Sequence, residues 1–440
     1  MIIMNKKAAF YTLGCRVNQY ETEAMIDLFT DSGFEIVDYS KSADVYIINS
    51  CTVTNEAARK TRQIARRAKR ANPNSLVGIV GCYTQAFPDE VESIDEIDFI
   101  MGSSGKLQIV NKVSELLAGD EFDAEIKDYK ELNDYEGLEV KRLTNTTRAN
   151  VKIEDGCNQF CTYCIIPYAR GPVRSRSEKS VIEEVKNLCS QGVKEIILTG
   201  THLGAYGSDK KNKDALAELI EKILDISDIK RIRLSSIEET EISDKLIALI
   251  AEEKRVCSHL HLPLQSGSDK ILKAMNRPYL REDFIETVEK IRKLVPDIAI
   301  TTDIIVGFPG ENNESFSKTV EIVKEVEFSK IHVFPFSIRE GTKAAEMKNK
   351  LPGDIISAYS KKLRDVNEEL MLKYQRKFIN KVKEVLVEEE RDHRTGMLTG
   401  FTDNYLKVLF AGPDAAQNSL LKVRLTDSAD PHHVKGELVD

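Results

Sequence analysis

The sequence is short of several things. Of 440 residues only 12 are proline and 23 are glycine, which excludes a collagenous or low-complexity chain. Hydrophobic residues make up 41% and charged residues 30%, which excludes a disordered one. No stretch approaches the ~18 uninterrupted apolar residues of a membrane span. The opening MIIMNKK is too short for a signal-peptide core, so a cytoplasmic protein without a membrane partner is expected. No solenoid repeat is present, and no Ser/His/Asp nucleophile set stands out. Positive charge is in deficit: the net charge of −8 speaks against a nucleic-acid partner.

Cysteine is what the chain has instead. Eight occur, at 15, 51, 82, 157, 161, 164, 189 and 257. In a cytosolic chain of this length a disulfide framework is not expected. Cys189, on the apolar side of the helical segment VIEEVKNLCSQG, and Cys257, leading into a strand, read as buried bystanders.

At ~100–200 residues per domain the length predicts two to four domains. Residues 1–118 alternate strand and helix patterns, as in a small parallel α/β domain of the flavodoxin or Rossmann kind. Residues 119–148 are acidic, then polar, and read as a linker. From 149 to 374 the alternation restarts. Six βα units, beginning with the strand Val151–Glu154, predict a partial, TIM-like (βα)6 barrel trailed by a long helix. Residues 375–440 show four short strand patterns and predict a small all-β barrel.

Cys157, Cys161 and Cys164 form a C-x3-C-x2-C run directly after the first strand of the second unit, where barrels gather their active residues. Three thiolates on one loop can hold three corners of a four-iron cluster and leave one iron open. Structural zinc usually wants four protein ligands, and no second pair lies nearby. Cys15, Cys51 and Cys82 each follow a predicted strand of the first domain, the edge where open α/β sheets collect ligands. They are the candidates for a second cluster.

The C-x3-C-x2-C run, with Tyr163 before its last cysteine, resembles the signature of the radical S-adenosylmethionine (SAM) enzymes. Joined to a three-cysteine α/β domain it resembles the methylthiotransferases. The resemblance runs through TLGCRVNQYETE, INSCTVTNEAARKTRQ, EDGCNQFCTYCIIPYARGPVRSR, HLHLPLQSGSD, KAMNRPY and TTDIIVGFPGE. GMLTGFTDNYLKV in the tail looks like a TRAM RNA-binding module. TLGCRVNQYETE resembles the branch acting on N6-threonylcarbamoyladenosine at position 37 of tRNA. Isopentenyladenosine tRNA and a ribosomal-protein aspartate are the alternative substrates. A non-catalytic iron–sulfur RNA-binding or redox-sensing protein and a zinc-stabilised scaffold are alternatives of other classes.

The resemblance implies two [4Fe-4S] clusters and two SAM molecules per turnover. One SAM would methylate a sulfur at the Cys15, Cys51, Cys82 cluster. The other, at Cys157, Cys161 and Cys164, would be split to the radical that removes the adenine C2 hydrogen. A low-potential electron donor and a sulfur donor are further implied partners. The chain lacks the Gly-Gly-Glu motif that many radical-SAM proteins carry after the second strand; Gly200 and Thr201 stand there instead. Ser235, Ser236, Gln265 and Asp303, near the ends of later strands, are candidates for SAM polar groups, and Gly307 and Gly310 for close backbone approach. Arg174 and Arg176 are candidates to pair a carboxylate or phosphate.

Local charge departs from the average. Residues 59–70 hold seven positive and no negative residues. With a small-residue stripe on one face, this helix would fan Arg59, Arg62, Arg66, Arg67 and Arg70 outward as a tRNA patch. The tail has ten basic against eleven acidic residues, so only Phe401, Tyr405 and Phe410 offer stacking there, with core packing expected of at least two. His259 and His261 share one strand face and read as core, with contact to the active site as the alternative.

Overall fold

The structure, a computed structural model, describes residues 6–52, 55–120, 126–142 and 147–439. Strands β1 (Lys7–Thr12), β2 (Glu35–Val37), β3 (Val45–Ser50), β4 (Leu76–Gly81) and β5 (Phe99–Met101) form one parallel sheet in the order β2-β1-β3-β4-β5. This is the flavodoxin-type order, with its switch point between β1 and β3. Strand β3 reads VYIINS and is buried along its whole length, as a central parallel strand covered on both faces must be.

Six parallel strands make the second unit. They are β6 (Arg148–Asp155), β8 (Glu195–Gly200), β9 (Arg231–Leu234), β10 (His259–His261), β11 (Ala299–Val306) and β12 (Lys330–Pro335). The two-residue β7 (Arg174–Ser175) flanks β6 antiparallel. Bridges Ile232↔Val256 and Ser236↔His261 join the two halves of the arc. Among the described residues β6 and β12 do not pair, so the barrel stays open. One core of buried Val, Ile and Leu side chains runs beneath all six strands and the long helix Gly353–Arg376.

The C-terminal module is a closed barrel of β13 (Val382–Val387), β14 (Leu398–Thr402), β15 (Lys407–Phe410), β16 (Leu420–Asp430) and β17 (His433–Leu438). The sequence reading has four of these strands and misses β17. Its sequence, HVKGEL, buries only Val434 and carries little apolar signal. Parallel pairing of β17 with β15 closes the barrel.

The segment expected as a linker is a strap where it is described; its residues 121–125 and 143–146 lie outside the described ones. Leu132, Leu138 and Val140 are buried. The Tyr135 hydroxyl donates to Lys152 O at 2.8 Å. Val140 N donates to Glu184 Oε1 at 2.8 Å.

The α/β unit and the arc meet through buried charge. Glu21, on the helix Arg16–Asp31, is fully buried against Lys106 (3.4 Å), Lys152 (2.8 Å) and Arg170. Asp155, at the end of β6, takes Lys152 (2.7 Å), Arg170 (3.5 Å) and Arg174 (3.3 Å). Burial would raise both carboxyls, but these cations hold them far below the usual carboxylate range. Breaking such a set from one side strands a buried charge, so it fixes the two units in one register.

Candidate active site

The loop after β1 is forced close to β3. Gly14 has φ +121°, and a Cβ there would stand 2.7 Å from Cys51 Cβ. Only glycine fits. The next residue, Cys15, thereby sits beside Cys51, and Cys82 opens the following helix at the end of β4. The three sit at the carboxyl edge flanking the switch point. All line one cavity of about 900 Å3. Burial pushes the Cys82 thiol up to about 12; Arg170 opposes this, while Cys51 and Cys15 add to it. Three thiols gathered at one sheet edge are a donor set suited to a polynuclear cation. Among the described residues no three His, Cys, Asp or Glu side chains converge to hold a single metal ion.

The second triad is built on a pinned loop. Gly156 has φ +94°, and a Cβ there would meet Pro172 O at 1.9 Å. Phe160 is also left-handed, at φ 46°. Asn276 Nδ2 donates to Gln159 O (3.2 Å) and Phe160 O (3.3 Å), and Thr162 N donates to Met275 O at 3.0 Å. Burial pushes Cys164 up to about 12, with Cys161 and Cys157 adding to it. The thiols have cationic company: Arg277 Nη1 donates to Cys161 Sγ at 3.3 Å, and His202 Nδ1 lies 3.5 Å from Cys157 Sγ. His202 Nε2 lies 2.9 Å from Glu241. Burial alone would lower this imidazolium, but Cys157 and Glu241 hold it up to about 10.

Of the expected SAM contacts, Gly200, Thr201, Ser235, Ser236 and Asp303 line the same cavity. Ser235 Oγ is buried without a partner, as a group awaiting a ligand would be. Thr201 Oγ1 donates to Asp155 Oδ1 at 2.9 Å. Gln265 and Gly307 are not in the lining. Gln265 N donates to Asp303 O at 2.8 Å, joining the edge of β11 as backbone. The close approach at Gly307 is made by Ile356 of the long helix, 2.5 Å from where a Cβ would stand. Gly310 has nothing within 4 Å. The Cys157–Cys164 loop is also outside the lining, and Thr199–His202 and the segment Ile166–Arg170 connect it to the cavity.

Other side chains fall differently from expectation. His259 and His261 line the cavity rather than the core. Of Phe401, Tyr405 and Phe410 only Phe410 is core. Phe401 and Tyr405 face the arc, under Arg148 (4.7 Å) and Arg233 (4.3 Å) respectively. Arg174 pairs Asp155, and Arg176 pairs Glu184 and Glu139. Cys189 and Cys257 are buried, as expected.

Of the expected stripe of Ala57, Thr61, Ile64, Ala68 and Ala71, the basic helix Asn55–Ala71 buries Thr61, Ile64 and Ala68, together with Ala58 and Ala65, while Ala57 is half-buried and Ala71 exposed. Its charge is less bare than expected. Arg62 pairs Glu90 (3.0 Å), Arg66 pairs Glu96 (3.1 Å) and Lys69 pairs Asp98 (2.7 Å). Arg67 and Arg70 are exposed and make no ion pair among the described residues.

Sequence reasoning missed the supports of the thiols: His202, Arg277 and Arg170, whose Nε donates to Cys82 Sγ at 3.0 Å. Their only signal is membership of the LTGTHLG, KAMNRPY and YARG segments.

An open arc of six parallel βα strands with a three-cysteine loop after the first is the fold of the radical SAM superfamily, whose family model matches residues 151–323. A second model, Uncharacterized protein family UPF0004, matches residues 7–102. Among solved structures, the radical S-adenosylmethionine methyltransferase TsrM from Kitasatospora setae superposes with a TM-score of 0.60 at 15% identity, over 78% of this chain and 77% of its own. Among curated proteins, the threonylcarbamoyladenosine tRNA methylthiotransferase MtaB of Bacillus subtilis is 40% identical over 98% of this chain and 96% of its own length. That of Aquifex aeolicus is 38% identical over 91% and 96%. The tRNA-2-methylthio-N(6)-dimethylallyladenosine synthase of Geobacillus kaustophilus is 36% identical over 99% and 83%. The chain belongs to the radical SAM methylthiotransferase family. It is an enzyme, and its family's cofactors are SAM and [4Fe-4S] clusters, which removes the non-catalytic readings. Among the described residues no helix is long and apolar enough to cross a membrane.

Proposed function

We propose that this enzyme converts N6-threonylcarbamoyladenosine at position 37 of tRNA, beside the anticodon, to its 2-methylthio form. The observation that carries the reading is 40% identity, over 98% of the chain, to a methylthiotransferase named for that nucleoside. One cluster is assigned to Cys15, Cys51 and Cys82 and the other to Cys157, Cys161 and Cys164, in units divided at residues 118, 148 and 374. Two SAM molecules are used per turnover, with a sulfur donor and a low-potential electron donor, in the cytoplasm. When bound, these cofactors supply the one-electron chemistry that an unactivated aromatic C–H requires and no side-chain base provides.

The residues supply binding and exclusion of water. Ser235 Oγ offers an unused hydroxyl to SAM, and Asp155 orients the Thr201 hydroxyl in the same cavity. Arg277 donates to Cys161, His202 lies against Cys157 and Arg170 donates to Cys82, so each triad has a cationic or donor neighbour that would support its sulfurs as metal ligands. The α/β unit, the arc and the C-terminal barrel all line the cavity, so a base within it would be shielded from bulk water. Arg67, Arg70 and the TRAM-like barrel serve the RNA.

The 36% identity to dimethylallyladenosine enzymes supports a second reading, with isopentenyladenosine as substrate. Nucleoside mass spectrometry of tRNA from cells lacking this enzyme separates the two. Loss of 2-methylthio-threonylcarbamoyladenosine is expected. Its persistence, with loss of the isopentenyl counterpart, contradicts the first reading.

A further inference from the structure

The cavity contains one arginine that the chemistry above leaves unused. Arg16 follows Cys15 and opens the helix Arg16–Asp31. Its guanidinium leaves its own unit: Nη1 donates to Asn150 Oδ1 of β6 at 3.3 Å, and Nη2 to the Tyr405 hydroxyl of the C-terminal barrel at 2.9 Å. Both partners are neutral, and among the described residues Arg16 makes no ion pair. The other arginines of the lining are spoken for, Arg170 by Glu21 and Arg233 by Glu195.

The surroundings are positive. Among the described residues Asp303 is the one carboxylate in the cavity lining, and it is paired with His261 at 3.2 Å. His259 is buried in the same lining and leaves Nδ1 without a partner. Burial keeps its imidazole neutral well below the usual histidine range, and Arg233, His261 and Arg16 reinforce this. A cavity with a poised guanidinium, a positive field and no spare acid is built for an anion.

Adenine geometry says where that anion sits. C2 and C6 share one edge of the ring, with only N1 between them. A base that turns C2 toward Cys15, Cys51 and Cys82 brings its N6 substituent within reach of a side chain starting one residue from Cys15. We propose that Arg16, aimed by Asn150 and Tyr405, is a specificity residue that binds a carboxylate carried on the N6 substituent of the target adenosine. This rests on the threonylcarbamoyl reading, since an isopentenyl group has no charge to bind.

The test uses cluster-loaded enzyme and anticodon stem–loops carrying, at position 37, threonylcarbamoyladenosine, its carboxamide analogue, isopentenyladenosine or adenosine. Dissociation constants are measured for the wild type, Arg16→Gln and Tyr405→Phe. The wild type should prefer carboxylate to carboxamide by roughly 10- to 100-fold, the range of a charge-assisted hydrogen-bonded pair. Arg16→Gln should bind both at the carboxamide level. Tyr405→Phe, which removes the aiming hydroxyl but no charge, should lose part of the preference, and does so even if the Gln variant fails to fold. An equal loss on all four RNAs means that Arg16 meets a backbone phosphate and overturns the proposal. So does a carboxylate preference that survives in both variants. A wild type that prefers the isopentenyl RNA sinks the substrate reading, and that failure shows in the wild-type arm alone.

Discussion

Glu154 is a carboxyl closed off from the protein surface. It is fully buried, one oxygen accepts the His202 backbone N–H at 2.7 Å, and the other has no partner. Gly200 leaves it room, since a Cβ there would stand 2.6 Å from Oε2. Burial pushes this acid up to about 8, against the pull of the His202 N–H. An unfolded glutamate ionises near ~4.3. Between these values the unfolded chain releases a proton that the folded chain keeps, so stability falls as pH rises toward 8 and is level above it. Glu154→Gln has no proton to release. It should melt with the wild type near pH ~4 and several degrees above it beyond pH 8, where ~1 kcal/mol is worth ~2–4 °C. Parallel melting curves at both pH values would show that Glu154 is ionised in the folded enzyme. Nothing in KIEDGC marks this acid as neutral. The same holds for the supports of the thiols. Cys157–Cys164 was legible because its spacing is local, whereas His202, Arg170 and Arg277 stand 45, 88 and 116 residues from the cysteines they serve.

At the scale of the element, periodicity carried far. The buried stripe of the helix Asn55–Ala71 and all six strands of the arc were legible, because burial on one face or both writes a period of 3.6 residues or an apolar run. Short or polar pieces were not: β2 and β7 are three and two residues long, and β17 alternates weakly. Charge along a helix proved a poor guide to charge around it. The acids facing Arg62, Arg66 and Lys69 come from the segment after β4, which the fold returns along the helix. The account therefore separates the cations. Replacing Arg67 and Arg70 together by Gln should weaken tRNA binding and lower its salt slope by roughly 1.5, at ~0.7–0.9 per phosphate contact. Replacing Arg62 and Arg66, already paired, should change it less. An unchanged slope for Arg67 and Arg70 would make the helix a solvated face.

At the scale of the molecule, three modules converge on one cavity. The α/β unit contributes Cys15, Cys51 and Cys82, the arc contributes Thr201, Ser235 and Asp303, and the closed barrel contributes Phe401 and Tyr405. The barrel is docked by arginines from the start of β9. Arg231 donates to Phe401 O (2.9 Å) and Glu384 O (2.8 Å), and Arg233 to Asp403 O (3.0 Å) and Thr402 O (3.2 Å). Carbonyls belong to every residue, so this docking left no mark in the sequence, and core packing was expected of at least two of Phe401, Tyr405 and Phe410 when two of them form a wall. The net charge of −8 was equally silent, averaging over a cavity whose lining holds one acid among the described residues. The most direct measurement of the central claim is the mass of the product. Purified enzyme with both clusters loaded is given SAM, a reductant and a stem–loop carrying threonylcarbamoyladenosine at position 37. The account predicts a gain of one methylthio group in place of hydrogen on that base, and none in enzyme lacking Cys15, Cys51 and Cys82. A methylthio gain on isopentenyladenosine RNA, with threonylcarbamoyladenosine RNA unchanged, would contradict it.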